Sequence, residues 1–283
     1  MDWIQGERFI ELSSDKIVFC RTEDVNNFFI NCDKNKKFIL ISHCGDGYVT
    51  DNPRDVNTMN SKHHADISLI PDNCVKWFAS MVEFENYKEK RIVPIPIGVE
   101  NNYHFLQNSK RDLLLNKISR EVNKYEDKLV FVNFKISNNY EERISAYNAI
   151  KDTDFCTLTD CMFTIDQLNK PKEPFPHIDK LDYSEFINEM HKHHFVLCPV
   201  GNGLDSHRMW EALYIGCIPI VRRIPNYEPY EGNLPILFVD NWSDINKELL
   251  LKELAEIKSK TYNIDMLKFS YWENLINEES KKI

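Results

Sequence analysis

The stretch HFVLCPVGNGLDSHRMWEALYIGCIPIV, residues 194–221, indicates the fold. It opens with a run that is apolar at nearly every position, which is typical of a strand covered on both faces of a parallel sheet. A loop containing Gly201 and Gly203 follows and leads into a segment with helical periodicity, after which comes a second apolar run. A strand, a helix and a strand in this order predict one unit of an α/β protein.

The same alternation of short apolar runs and helical patterns continues through the chain and predicts an α/β fold throughout. Strands are predicted at residues 16–20, 37–42, 91–101, 128–134, 194–200, 217–221 and 235–240. Helices are predicted at residues 108–125, 141–150, 183–193, 244–258 and 266–276. The prolines of 91–101 place that strand at an edge or a strand end, and Ser243 is the expected cap of the helix at 244–258.

A charged segment near residues 124–128 suggests a division into two halves with a cleft between them. The predicted domains are 1–125 and 126–264, with residues 265–283 packing back on the first. Ligands of open parallel sheets bind beyond the carboxyl ends of the strands. The loops that follow Ser42, Phe134 and Val200 are therefore the predicted site.

Composition narrows the classes of partner. The chain has 283 residues, 42% of them hydrophobic and 28% charged, and a formal net charge of −9, which argues against nucleic acid or an anionic membrane as the main partner. No run approaches the roughly 20 apolar residues of a membrane span. The start of the chain lacks the order of a signal peptide, so a cytoplasmic location is expected. Eight scattered cysteines without a CxxC pair predict free thiols rather than disulfides.

The loop and helix at 201–216 have the features of an anion site. Asp205 or Ser206 is the expected helix cap, and the amides and dipole of a helix start favour an anion. His207, Arg208 and Glu211 project from one side of the helix, whereas Met209, Ala212, Leu213 and Gly216 project toward the sheet. An arginine suits a diphosphate and a carboxylate suits the hydroxyls of a ribose. The alternative is an ordinary glycine turn followed by an i,i+3 surface ion pair.

The stretch 194–221 resembles the donor-binding segment of exostosin-like glycosyltransferases, the family 47 type, in their short viral and bacterial forms. The shared pattern is a strand, Pro-x-Gly, a short loop, Arg, Glu-Ala-Leu and Gly-Cys-Ile-Pro. Looser likeness extends to residues 38–49, 77–101, 131–143 and 234–242. The resemblance implies two Rossmann-like domains facing a cleft, the GT-B arrangement, and transfer of a sugar from a nucleotide sugar.

Carried over by position, the resemblance gives Arg208 to the diphosphate and Glu211 to the ribose. Further donor-lining residues are then Gly201, Asn202, Gly203, Asp205 and His207. Many relatives have an arginine where this chain has Val200, so Lys135 or Arg143 is expected to supply the missing cation. The alternative for both is ordinary solvated charge.

Transfer with inversion needs a general base for the acceptor hydroxyl. Asp46 is the first candidate and His43 the second, because both follow a predicted strand of the first half. Asp46 lies between two glycines and could equally be a turn residue. His43 could equally be a hydrogen-bonded structural histidine.

The function expected is transfer of a sugar, with xylose as one candidate, from a uridine diphosphate donor to a glycan hydroxyl. No essential metal or other cofactor is expected, since the histidines at 191–194 lack a carboxylate at useful spacing. Two alternatives remain open. One is a nucleotide-sugar epimerase or hydrolase of the same fold, and the other is a non-catalytic module that binds a glycan or a nucleotide.

Overall fold

Two parallel sheets form the framework of the protein. The computed structural model describes residues 2–45, 47–51, 64–84, 89–101, 114, 117, 122–159 and 181–283. Both sheets are flanked by helices, and every strand pair within them is parallel. The predicted α/β class with parallel sheets is therefore confirmed.

The first sheet has the strand order β1-β2-β5-β6 among the described residues. Its half of the chain contains strands β1 (Ile17–Arg21), β2 (Phe38–His43), β3 (Val49–Thr50), β4 (Ala65–Asp66), β5 (Cys74–Ala79) and β6 (Ile92–Pro94), and helices α1 (Gly6–Ile10) and α2 (Val25–Asn31). Strand β2 is buried at every position, as its apolar run predicts. Strand β6 lies at the edge, as its prolines predict, whereas β5 was not predicted because Lys76 interrupts its apolar run.

The second sheet has the order β11-β10-β9-β7-β8 among the described residues. Its strands are β7 (Val130–Val132), β8 (Cys156–Leu158), β9 (Phe195–Leu197), β10 (Ile218–Arg222) and β11 (Leu237–Val239). The helices of this half are α3 (Tyr140–Ile150), α4 (Tyr183–His191), α5 (His207–Tyr214), α6 (Lys247–Ser259) and α7 (Phe269–Ser280). Short 3₁₀ turns lie at Thr22–Asp24, Ile67–Leu69, Ile136–Asn139, Pro225–Tyr230, Trp242–Asp244 and Ile264–Leu267.

Two sequence predictions have other outcomes: the cap of helix α6 is wrong, and one helix cannot be compared over most of its length. Helix α6 is capped by Asn246, whose Oδ1 accepts a hydrogen bond of 2.9 Å from the amide of Leu249, and not by Ser243. Ser243 lies instead in a 3₁₀ turn. Most of the helix predicted at 108–125 lies outside the described residues.

One apolar cluster crosses from the first sheet to the second. It contains Ile41 and Phe78 from the first sheet together with Trp210 of helix α5 and Trp272 of helix α7. Phe269, at the start of α7, packs against Phe9 with ring centroids 5.0 Å apart. The last helix thus lies against the first half of the chain, while the division into two domains at residue 125 stays a prediction.

The buried carboxylate of Asp205 links the two sheets by hydrogen bonds. It accepts from the amide of Ile97, beyond strand β6, at 3.1 Å and from Nε1 of Trp210 at 2.9 and 3.0 Å. The amide of Ser206 donates to it at 2.7 Å. Burial raises the pKa of Asp205 to about 6, and the donors around it partly offset that shift. Leaving the buried Asp205 carboxylate without these donors would therefore be costly.

None of the described helices combines the length and the apolar character that crossing a lipid bilayer requires.

The Asp205→Asn variant is expected to unfold more easily. An amide places N–H donors where the Ile97 and Trp210 donors now point, so at least one buried hydrogen bond is lost, at a cost of about 2–3 kcal/mol. Urea denaturation at pH 7.5 measures the change. The matched control is Asp240→Asn, since that side chain is 73% exposed. Equal stability of the two variants would contradict the structural role given to Asp205.

Candidate functional site

A cleft of about 440 Å³ lies where the carboxyl ends of the two sheets meet. Its walls combine residues that follow β5 and β6 with residues that follow β7 and β9. All the residues predicted for the donor side line it: Lys135, Arg143, Gly201, Asn202, Gly203, Asp205, His207, Arg208 and Glu211. The structure thus brings together side chains from positions 135 to 211 of the chain. Their roles stay predictions.

Neighbouring side chains lie close to the backbone of the glycine loop, residues 201–203. A Cβ atom on Gly201 would lie 2.5 Å from Nη2 of Arg143, and one on Gly203 would lie 2.6 Å from Cε of Met81. The positive φ angles among described glycines occur at Gly98, Gly216 and Gly232 instead. Glycine at these positions leaves room for the ends of the Arg143 and Met81 side chains, whereas its φ angles impose no requirement.

Two arginines face the cleft without a carboxylate partner among the described residues. Arg143 is 5% exposed, and its guanidinium donates to the backbone oxygens of Val200 at 2.9 Å and Lys135 at 2.7 Å. Burial, and then the charge of Arg208, lower the pKa of Arg143 to about 10. Nε of Arg208 is buried without a hydrogen-bond partner in the described part of the chain. Because the two positive charges act on each other, an anion bound between them would be favoured.

Of the two residues expected to supply a cation in place of an arginine at position 200, Arg143 lies closer to that position, and its role stays a prediction. Its guanidinium lies against Val200 itself, whereas the side chain of Lys135 is exposed. The sequence suggested solvated charge for Arg143, and its burial shows that this interpretation is wrong.

Glu211 faces the same cleft from helix α5 and is 7% exposed. Its Oε1 accepts a hydrogen bond of 2.9 Å from the hydroxyl of Tyr183, the first residue of helix α4. Burial raises the pKa of Glu211, and its neighbours Tyr183 and Arg208 act in the opposite direction. Arg208 and Glu211 form no ion pair within 4.0 Å, so the surface-pair alternative is wrong.

The start and end of helix α5 differ from the sequence prediction. Neither Asp205 nor Ser206 caps the helix with its side chain, because the Asp205 carboxylate is bonded elsewhere and Ser206 Oγ has no partner within the described ranges. No side chain therefore caps the helix start at the wall of the cleft, which suits an anion. Gly216 is exposed with φ of 73°, so it ends the helix and does not face the sheet.

His207 connects the two walls of the cleft. Its Nδ1 lies 2.7 Å from the backbone oxygen of Gly98, and its Nε2 lies 3.5 Å from Oε2 of Glu100. Glu100, Met81 and Tyr183 were not predicted as site residues. Glu100 and Met81 lie in the stretch 77–101, which carried only loose likeness, and no sequence signal marked Tyr183.

His43 is poorly placed to act as a general base. Its Nδ1 accepts from the amide of Cys44 at 2.7 Å, and its Nε2 lies 3.2 Å from the backbone oxygen of Pro96. The ring stacks on Phe9 with centroids 5.2 Å apart. Burial lowers the pKa of His43 to about 4. With both nitrogens bonded, no lone pair is left for an acceptor hydroxyl, and the structural interpretation of His43 prevails.

Asp46, the first candidate for the base, lies outside the described residues. The described residues contain no group of three or more His, Cys, Asp or Glu side chains that could hold a metal ion. His193, in the histidine run at 191–194, bonds through both nitrogens, to Glu189 O and to Thr157 Oγ1, each at 2.8 Å. The seven cysteines that the structure describes are free thiols.

Comparisons with known proteins show similarity to glycosyltransferases in part of the chain. Residues 157–274, less than half of the chain, match the family model described as the RXYLT1 C-terminal domain. An 80-residue segment is 38% identical to a protein of Arabidopsis thaliana that is named as a probable glycosyltransferase. That segment covers 28% of this chain and 15% of the plant protein. These similarities support a glycosyltransferase.

The pKa of His43 predicts a pH-dependent stability. Below about pH 6.5 the unfolded chain binds a proton at this residue, whereas folded His43 binds one only near pH 4. Stability should therefore fall as the pH drops through this window, by up to about 3 kcal/mol from this residue. His43→Asn should be less stable than the wild type at pH 7.5, and the difference should shrink toward pH 4 in urea titrations.

The control for this experiment is Leu250→Ala, which removes a buried apolar side chain of the second half of the chain without contacting His43. Its destabilisation should be the same at every pH. If the His43→Asn difference were equally constant, the neutral buried imidazole would be the wrong description.

Proposed function

We propose that the protein is a glycosyltransferase whose nucleoside diphosphate sugar binds in the cleft between the two sheets. The observation that carries the proposal is the pair of arginines, Arg143 and Arg208, beside the open start of helix α5. A lone cation could be a packing feature. Two cations without a carboxylate partner in the described residues, next to a helix dipole, match the charge of a diphosphate.

The position of Glu211 extends the match from a phosphate site to a nucleotide site. It lies one helical turn from Arg208, and its second carboxylate oxygen has no hydrogen-bond partner among the described residues. A carboxylate only accepts hydrogen bonds, so it suits the hydroxyls of a ribose. We therefore assign the ribose to Glu211 and the diphosphate to the two arginines.

The reaction that fits this site is direct displacement at the anomeric carbon. The acceptor oxygen forms the new bond to that carbon, and the bond between the carbon and the phosphate oxygen breaks. The diphosphate leaves with the electron pair, and its charge is stabilised by Arg143, Arg208 and the helix dipole. The hydroxyl proton passes to a base on the first-sheet side, for which Asp46 remains the candidate.

The domain arrangement, the substrates and the course of the reaction belong to the same proposal. The two parallel sheets with a cleft between their carboxyl ends support a GT-B arrangement with the domain boundary near residue 125. Uridine diphosphate is the proposed carrier, xylose the first sugar to test, and a glycan hydroxyl the proposed acceptor. Because two arginines and a helix start can neutralise the diphosphate, a metal-independent reaction with inversion is proposed.

The Arg208→Gln variant tests the diphosphate assignment. Its dissociation constant for uridine diphosphate, measured by calorimetry, should rise about 10- to 100-fold, because a charge-assisted hydrogen bond is lost. Its affinity for uridine, which lacks the phosphates, should be unchanged. Arg223→Gln is the matched control, since Arg223 is exposed and lies outside the cleft. Unaltered diphosphate binding by Arg208→Gln would contradict the assignment.

Product analysis by NMR tests the reaction. The wild-type protein is incubated with uridine diphosphate xylose and other uridine diphosphate sugars, with and without a panel of oligosaccharide acceptors. A new glycosidic linkage that requires both substrates is the expected result. Conversion or hydrolysis of the donor without an acceptor would indicate an epimerase or a hydrolase, and binding without any turnover would indicate a non-catalytic module.

A further inference from the structure

Tyr183 fixes the side chain of Glu211 in an unusual position. An arginine and a glutamate three residues apart on a helix commonly pair with each other. Here Arg208 and Glu211 form no ion pair within 4.0 Å, and Glu211 Oε1 accepts instead from the Tyr183 hydroxyl at 2.9 Å. The tyrosine thus keeps Glu211 away from the cation that would otherwise compete for it.

Tyr183 is itself held in place by its position at the start of a capped helix. Tyr183 is the first residue of helix α4, which begins with a reciprocal cap between Asp182 and Glu185, each bond being 2.8 Å long. Its ring lies 5.9 Å from that of Phe186, over which Arg208 is stacked at 5.9 Å. Burial and the adjacent charge of Glu211 raise the pKa of Tyr183, so the hydroxyl stays protonated and always donates to Glu211.

One oxygen of Glu211 remains for a ligand. Oε1 is used by Tyr183, and Oε2 has no partner among the described residues, although the residue lines the cleft. The residue is 7% exposed and lines the cleft, so a ligand hydroxyl bound there would meet an unpaired acceptor. Sites of this kind reject analogues that lack the hydroxyl, because the acceptor is then left unpaired.

We propose that Tyr183 is a positioning residue that makes the cleft selective for ribonucleotides over deoxyribonucleotides. It does so by holding Glu211 Oε1 so that Oε2 meets a ribose hydroxyl. This inference rests on the proposed nucleotide site but goes beyond it, since it assigns the selection to the Tyr183–Glu211 pair.

The test compares three probes by calorimetry: uridine diphosphate and its 2′-deoxy and 3′-deoxy forms. For the wild-type protein at least one deoxy form should bind about 10-fold or more weakly than uridine diphosphate. In Tyr183→Phe the ratio of the dissociation constant of that deoxy form to that of uridine diphosphate should fall to within about threefold of one, because Glu211 is released toward Arg208. A Tyr183 with only a structural role would weaken all three probes equally and leave the ratio unchanged.

The matched control is Tyr262→Phe, since Tyr262 lies outside the cleft and should keep the wild-type ratio. Thermal melting of both variants checks that they fold. If the wild-type protein binds uridine diphosphate and both deoxy forms about equally well, this inference is overturned while the nucleotide site stands. A Tyr183→Phe variant with the wild-type ratio would overturn it as well. Failure of all three probes to bind the wild-type protein would overturn the proposed function itself.

Discussion

The hydrogen bonds to Asp205 are the constraint on which the arrangement of the site depends. One carboxylate receives the amide of Ile97 from the first sheet and the indole of Trp210 from helix α5. These contacts fix the helix start relative to the opposite wall, and His207 adds a second link through Gly98. Burying a charged group at such a junction is unfavourable unless every donor is in place. The geometry of the cleft is therefore set by polar contacts as well as by the apolar cluster that both sheets share.

Within that frame the wall formed by the second half of the chain carries both cations and an acceptor. The second sheet presents Arg143 and Arg208 beside the glycine loop, and backbone oxygens of Val200 and Lys135 hold Arg143 in place. Such fixed cations need no reorganisation when negative charge develops on a leaving group. Glu211 accepts a hydrogen bond from the Tyr183 hydroxyl and forms no ion pair with either arginine in the described part of the chain. A chain with net charge −9 thus presents a locally positive surface at one end of a small cleft and an acceptor at the other.

The sequence indicated the α/β class and many of the residues that line the cleft, for physical reasons. Parallel strands covered on both faces are continuous apolar runs, and the carboxyl ends of such strands meet at one edge, so residues as far apart as Lys135 and Glu211 could be placed together. Long-range contacts were not predictable in this way. Ile97 and Asp205 are 108 positions apart, and no local pattern predicts their bond. The contact of His43 Nε2 with Pro96 O and the bond of Arg143 Nε to Val200 O likewise join residues more than 50 positions apart.

The most direct test of the account is a crystal structure of the protein grown with uridine diphosphate. The account predicts the diphosphate within hydrogen-bond distance of Arg143 and Arg208 at the start of helix α5. The ribose should then lie within reach of Glu211. A nucleotide bound elsewhere, or a cleft that excludes it at saturating concentration, would contradict the account.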